Sequence, residues 1–158
     1  MFHTFASTSP QCFLHTKARV LVTLLALVLL GPMTTTASAG RVGVKIDLSS
    51  QKMYVTVNGF RRHTWPVSTA RRGYRTPIGS FRPTRMHAKY FSKKYHGSPM
   101  PHSIFFRGGY AIHGTGAIKN LGRPASHGCV RLHPTNARKL FALVKKNGPA
   151  NTHISIRR

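Results

Sequence analysis

Apolar and polar residues alternate through much of the chain beyond residue 40. "VGVKIDL" (Val42–Leu48) and "MYVTV" (Met53–Val57) place apolar side chains at every second position. That period belongs to a strand with one face in a core and the other in water. Asn58–Gly59 follows, and both residues tolerate positive φ, so a two-residue hairpin turn is predicted there. "HTWPV" (His63–Val67) returns as the partner strand, with Pro66 marking an edge or a bulge. "TPIGSF" (Thr76–Phe81) reads as turn residues leading into a short strand. "SIFF" and "YAIH" read as two short strands joined through Gly108–Gly109, and "THISI" (Thr152–Ile156) as a last one.

The period changes once. Ala137, Leu140, Phe141 and Val144 fall at i, i+3, i+4 and i+7, a single apolar stripe on a helix. Pro134 suits its first turn, Lys145 and Lys146 its last, and Gly148–Pro149 stops it. Between the strands, "KYFSKKYHGSPMPHS" (Lys89–Ser103) has no clear period and two prolines. It is expected to be a long surface loop, of the kind that often serves as a lid.

The first 39 residues follow a different pattern. Lys17 and Arg19 precede "VLVTLLALVLL" (Val20–Leu30), an apolar run of 11, and a small-residue stretch ends in "ASAG". This is the layout of a secretory signal peptide over residues 1–39, with cleavage expected between Ala39 and Gly40 and an uncleaved anchor as the alternative. The run is shorter than the roughly 18–20 residues that span a bilayer, so no stable membrane span is expected after cleavage. The expected destination is outside the cytoplasm, in a periplasm or cell envelope. A mature chain of 158 − 39 = 119 residues remains, long enough for one core. Cys12 leaves with the signal, so Cys129 is the one mature thiol and no intramolecular disulfide can form.

Charge narrows the chemistry further. Without Lys17 and Arg19 the mature chain has 25 − 2 = 23 basic residues against one acid, Asp47. Such a surface attracts polyanions without selecting among them. The signal peptide favours an anionic envelope over any specific nucleic acid. One carboxylate cannot form the acid–base pair of a glycosidase. Nor can it build a carboxylate-rich calcium or magnesium site.

The remaining candidate chemistry centres on "SHGCVRLHP" (Ser126–Pro134). A thiolate at Cys129 could attack an acyl carbon, with a histidine taking the proton and later returning it to a leaving amine. His102, His113, His127 and His133 are all candidate bases. His127 is two positions away, roughly 6.6 Å along extended chain. His113 lies on another segment and could approach face-on; spacing alone does not choose. Gly128 lets backbone come close to a substrate, and N–H groups near Gly128 and Cys129 could hold an oxyanion. Arg131 could clamp a carboxylate or bind backbone carbonyls. A zinc set of His113, His127, Cys129 and His133 is the competing reading. "HxCxxxH" is not a familiar zinc spacing, and no carboxylate lies nearby to orient the histidines.

These residues also carry a resemblance. "IHGTGAIKNLGRPASHGCVRL" (Ile112–Leu132) resembles the signature of L,D-transpeptidases with the YkuD-type catalytic domain: an early His-Gly, a spacer, then Ser-x-Gly-Cys, an aliphatic residue and Arg or Asn. "IDLSSQKMYVTVNG", "WPVSTARRGYRTPIGSF" and "MPHSIFFRGGYAIHGT" are similar to family segments in the expected order, with Ala70 standing where glycine is usual. The resemblance implies a catalytic domain over residues 40–158. Its implied fold is a mainly β, sandwich-like domain with one main C-terminal helix and a long loop near the active site. It implies Cys129 as nucleophile and His113 as general base, oriented through the Gly114 carbonyl. His127 would support the thiolate, and Gly128 with Cys129 would supply oxyanion N–H groups. Ser126, Arg131 and Tyr110 would shape the substrate pocket. No metal or organic cofactor is implied, and carbapenems are expected to acylate Cys129. The implied substrates are peptidoglycan stem peptides as donor and acceptor, with an envelope protein or water as alternative acceptors. Water would make the enzyme an L,D-carboxypeptidase. A non-enzymatic cationic wall-binding protein is the rival from another class; it leaves the ordered His113, Ser126, Gly128 and Cys129 set without a purpose.

Overall fold

The computed structural model describes residues 40–158. The expected signal peptide, residues 1–39, lies outside the described residues. No described helix is long and apolar enough to cross a membrane.

The alternating segments become strands with the expected faces. In β1 (Val42–Asp47) every second residue is buried, led by Val42, Val44 and Ile46. β2 (Lys52–Val57) buries Met53 and Val55 against the same interior and pairs antiparallel with β1 from Val42↔Val57 to Asp47↔Lys52. Asn58 and Gly59 take φ of 53° and 83°, so the chain reverses in two residues into β3 (Phe60–Pro66). Two positive φ values match the twist of a hairpin, and glycine bears one of them without steric cost. Pro66 ends β3 at the edge of the sheet, where its missing N–H breaks no ladder. Asp47 accepts from the backbone N–H groups of Ser49 and Ser50 and from the Ser49 hydroxyl. The chain's sole side-chain carboxylate therefore closes a turn.

Two sheets form the body. The five-stranded sheet has the order β3-β2-β1-β11-β4, with β4 at Gly79–Phe81 and β11 at Thr152–Arg157. The last strand lies parallel to the first, in register from Val42↔Thr152 to Asp47↔Arg157. The second sheet has the order β10-β9-β8-β5: β5 is Arg85–His87, β8 Ser103–Arg107, β9 Tyr110–Gly114 and β10 Val130–Leu132. Apolar side chains of both sheets meet in one core with α1 (Pro134–Asn147), through Ile46, Ile154, Ile112, Leu132 and Leu140 among others. The α1 stripe buries Ala137, Leu140 and Val144 and half-buries Phe141. Gly148, at φ 90°, ends the helix.

Two features differ from the sequence reading. The 89–103 segment is not unstructured: β6 (Phe91–Ser92), a 3₁₀ turn (Lys93–Tyr95) and β7 (Ser98–Pro99) make a small two-stranded flap. Two-residue strands carry no detectable alternation. Likewise β5 and β10 have three residues each, too few to show a period, and β10 exists only because it pairs parallel with β9.

Candidate active site

The parallel pairing of β9 with β10 builds the site. Its register sets Ile112 opposite Val130 and His113 opposite Arg131. Ile112, Val130 and Leu132 face the core. Period two then sends Ala111, His113, Cys129 and Arg131 to the other face. There Cys129 packs beside a second, small cluster of Met100, Phe105 and Ala111. His113 and Cys129 sit one strand apart and two residues out of step, about 8 Å between Cα atoms from standard sheet spacings. That diagonal is within reach of an imidazole and a thiol. Both line a cavity of about 600 Å³ with Arg131 and Tyr110, and with Tyr95 and Met100 of the flap segment.

The His113 tautomer follows from one hydrogen bond. Nδ1 lies 2.7 Å from the Gly114 carbonyl oxygen. A carbonyl only accepts, so Nδ1 carries the proton and Nε2 is left with the lone pair. His113 is buried, 6 % exposed, and burial lowers its pKa to about 4. The Gly114 bond opposes that shift, and the Arg131 charge adds to it. Cys129 moves the other way: burial raises its pKa, against smaller lowering effects of the Ala111 backbone and Arg131. At neutral pH the two groups are thus an uncharged imidazole and an uncharged thiol. The thiol also lies 3.8 Å from the Gly109 carbonyl. The arrangement suits general-base activation at the moment of attack, with no standing thiolate.

A profile of the YkuD family, described as an L,D-transpeptidase catalytic domain, matches residues 41–151. The chain belongs to this family. No curated protein sequence matches it. Solved L,D-transpeptidases share its fold. That of Stackebrandtia nassauensis is 26% identical, with a TM-score of 0.65 over 75% of this chain and 56% of its own. The Mycobacterium smegmatis enzyme is 20% identical, with a TM-score of 0.66 over 75% and 59%. L,D-transpeptidase 3 of Mycobacterium tuberculosis, solved with a faropenem-derived adduct, is 17% identical, with a TM-score of 0.66 over 75% and 61%. The chain spans less than two thirds of the length of these three.

Within this L,D-transpeptidase domain the residues around Cys129 divide by what they touch. The Ser126 hydroxyl is fully buried; it donates to the Cys129 carbonyl at 2.6 Å and accepts from the Gly128 N–H at 2.9 Å. It therefore holds the 126–129 turn, and Ser126 also lines the catalytic cavity. The same bond corrects the expectation for Gly128. Its N–H is committed to Ser126, leaving the Cys129 N–H as the remaining one of the two expected oxyanion donors. What Gly128 supplies is shape. At φ 128° an added Cβ would stand 2.5 Å from the Tyr110 ring and 2.8 Å from the Arg75 carbonyl oxygen.

His127 does not lie along extended chain from Cys129, because Gly128 breaks the strand geometry. Its ring stacks on Tyr95 of the flap (4.8 Å, 15°) and meets Tyr74 edge-on (4.6 Å, 72°). Desolvation lowers its pKa, followed by Arg71, Arg131 and Lys94. His127 is a neutral wall residue that joins flap to turn. Arg131 is half-buried, and its guanidinium donates to the Ala125 carbonyl at 3.3 Å while lining the cavity. Tyr110 packs over Gly128 and lines the cavity. The other histidines lie elsewhere: His133 caps α1 by accepting from the Thr135 N–H, and His102 packs edge-on against Phe141. Among the described residues no three His, Cys, Asp or Glu side chains converge as a metal site would require.

Sequence reasoning missed Thr76. Its hydroxyl donates to the Gly128 carbonyl at 2.9 Å and accepts from the Ala70 N–H at 3.0 Å, tying the turn to the 69–71 segment. Backbone bonds from Ala125 and Ser126 to the Thr69 carbonyl complete that tie. The signal was present in "TPIG" but looked like turn punctuation, since its partner is 52 residues away.

Proposed function

We propose that the protein is an exported cysteine L,D-transpeptidase acting on peptidoglycan tetrapeptide stems. The observation that carries the proposal is His113: a buried imidazole whose Nδ1–H is fixed by Gly114, sharing one cavity and one sheet face with Cys129, the single thiol among the described residues. The family resemblance supplies the substrate class, and beta-lactam complexes of L,D-transpeptidases are consistent with it.

In this reading Nε2 of His113 takes the thiol proton as Cys129 Sγ attacks the carbonyl of the third stem residue. The Cys129 N–H faces the developing oxyanion, and Arg131 supplies positive charge beside it. The tetrahedral intermediate breaks its C–N bond, and the imidazolium returns the proton to the departing D-Ala amine. The stem is left as a thioester. An acceptor amine then attacks; His113 removes its proton, and the C–S bond breaks to restore the thiol. The acceptor is another stem, giving a 3→3 cross-link, or an envelope protein. Resolution by water gives an L,D-carboxypeptidase. Peptidoglycan synthesis, wall organisation and cell shape are the processes served.

Incubation of residues 40–158 with purified disaccharide-tetrapeptide tests this by product mass. A cross-linked dimer lacking one D-Ala supports transfer, and a tripeptide supports hydrolysis. Unchanged substrate with an intact, accessible thiol overturns the proposal.

A further inference from the structure

A second cavity, of about 690 Å³, lies across Tyr110 from the catalytic one, and the Tyr110 side chain lines both. Arg75, Arg107 and Arg158 line it, from the turn after Gly73, the end of β8 and the residue after β11. All three are exposed. No acidic side chain is among the lining residues. The one acid of the sequence, Asp47, is occupied by Ser49 and Ser50. Three arginines therefore line one hollow with no acidic side chain among its lining residues, an arrangement that an anion stabilises.

The floor narrows what that anion can be. Gln51, Thr69 and Thr76 spend their polar atoms on one another and on the backbone: Gln51 bonds the Thr69 hydroxyl and N–H, and Thr76 bonds Ala70 and Gly128. The arginines are left as the charged donors for a ligand, beside the Tyr74 and Tyr110 side chains, and a planar guanidinium fork matches the two oxygens of a carboxylate. Pro77 and Ile78 add apolar wall, which suits a peptide better than a bare inorganic anion. The hollow also touches the catalytic turn, since the Arg75 carbonyl and the Tyr110 ring are the atoms crowding Gly128.

We infer that this cavity is a second, non-catalytic site that holds a peptide by its free carboxylate. Identifying that peptide as a peptidoglycan stem rests on the function proposed above. Two guanidinium groups, Arg75 and Arg107, grip the carboxylate while the stem lies along Pro77 and Ile78. An un-cross-linked stem would thereby be retained beside the turn that carries Cys129.

The test is calorimetric titration of the Cys129→Ala protein, which cannot turn over, with a synthetic stem tripeptide bearing a free C-terminal carboxylate. Arg75→Gln/Arg107→Gln is expected to weaken binding at this site at least tenfold. Lys45→Gln/Arg61→Gln, which removes equal charge from the outer face of the large sheet, is expected to leave it unchanged. The C-terminal amide of the same tripeptide should lose the site as well. Should the double glutamine variant fail to fold, Arg75→Lys/Arg107→Lys keeps the charge, removes the forks and is expected to lose several-fold. Equal losses from both glutamine pairs would mean general charge attraction and overturn the site. So would unchanged affinity in the Arg75/Arg107 variants, or indifference to the amide. Displacement of the tripeptide by a polyglycerol phosphate at lower concentration than by free stem would assign the cavity to a phosphate polymer and also overturn it. A native protein that never forms a stem thioester, while the Cys129→Ala form still binds the tripeptide here, would sink the catalytic proposal alone.

Discussion

Acid pH separates the neutral His113–Cys129 pair from the ion pair that a cysteine nucleophile often forms. His113 titrates at about 4 because its ring is buried, not because a partner holds its charge. An ordinary imidazole, near 6.5, would be only about one-tenth in its basic form at pH 5.5. At a pKa of about 4 nearly all of it is basic, so the base remains available through pH 5.5. The rate constant for imipenem acylation of the free protein, followed by intact mass from pH 3.5 to 8, should therefore hold down to pH 5.5 and halve near 4. Iodoacetamide alkylation of Cys129 provides the complementary measurement. With the thiol pKa raised by burial, alkylation should be slow at pH 7 and still climbing at pH 9. The same shift has a stability consequence. The folded state binds fewer protons than the unfolded chain between about 4 and 6.5, so this contribution is complete above 6.5 and is lost as pH falls through that window. A gap of that size corresponds to roughly 3 kcal/mol, so stability at each pH must be followed by urea denaturation alongside the rates. An acylation limb centred near 6.5, in protein still folded by that criterion, would refute the buried neutral base. Fast alkylation that is flat from pH 6 to 9 would refute the uncharged thiol.

Other perturbations test separate links. His113→Ala should reduce thioester formation at least a hundredfold, the scale of a lost general base, whereas His127→Ala should cost less because its ring only joins flap to turn; the reverse order in a burst assay would reassign the base. Gly128→Ala should destabilise by about 1–3 kcal/mol and abolish acylation, since φ 128° and the Tyr110 and Arg75 contacts leave no room for a Cβ; thermal melting that matches the native protein would contradict this. Leu140→Ala, at a fully buried position of α1, should cost about 2–5 kcal/mol in urea denaturation while leaving the pH profile of acylation in place. Binding to purified sacculi should weaken strongly from 50 to 500 mM salt if the 23 basic residues beyond residue 39 draw it to the wall, and a salt-independent affinity would rule that out.

The sequence by itself determined what depends on near neighbours. Alternation at Val42, Val44 and Ile46 follows from the geometry of extended chain, and the Asn58–Gly59 reversal from positive φ. The Ala137–Val144 stripe and its stop at Gly148 follow from helical period and a glycine's freedom. The nucleophile was also legible, as the one thiol beyond residue 39. The choice of His113 over His127 was not; spacing left it open, and only the family likeness proposed it. The tertiary structure brings His113 beside Cys129 through β9–β10 pairing, and it places the His127 ring against Tyr95 and Tyr74 in the cavity wall. It also decided that β11 lies between β1 and β4, that Thr76 clamps a turn 52 residues away, and that Arg75 and Arg107 line one hollow. The physical reason is common to all of these. Local periodicity is set by bonds and dihedral angles within a few residues, whereas strand partners and side-chain neighbours are set by which surfaces the whole chain can bury together.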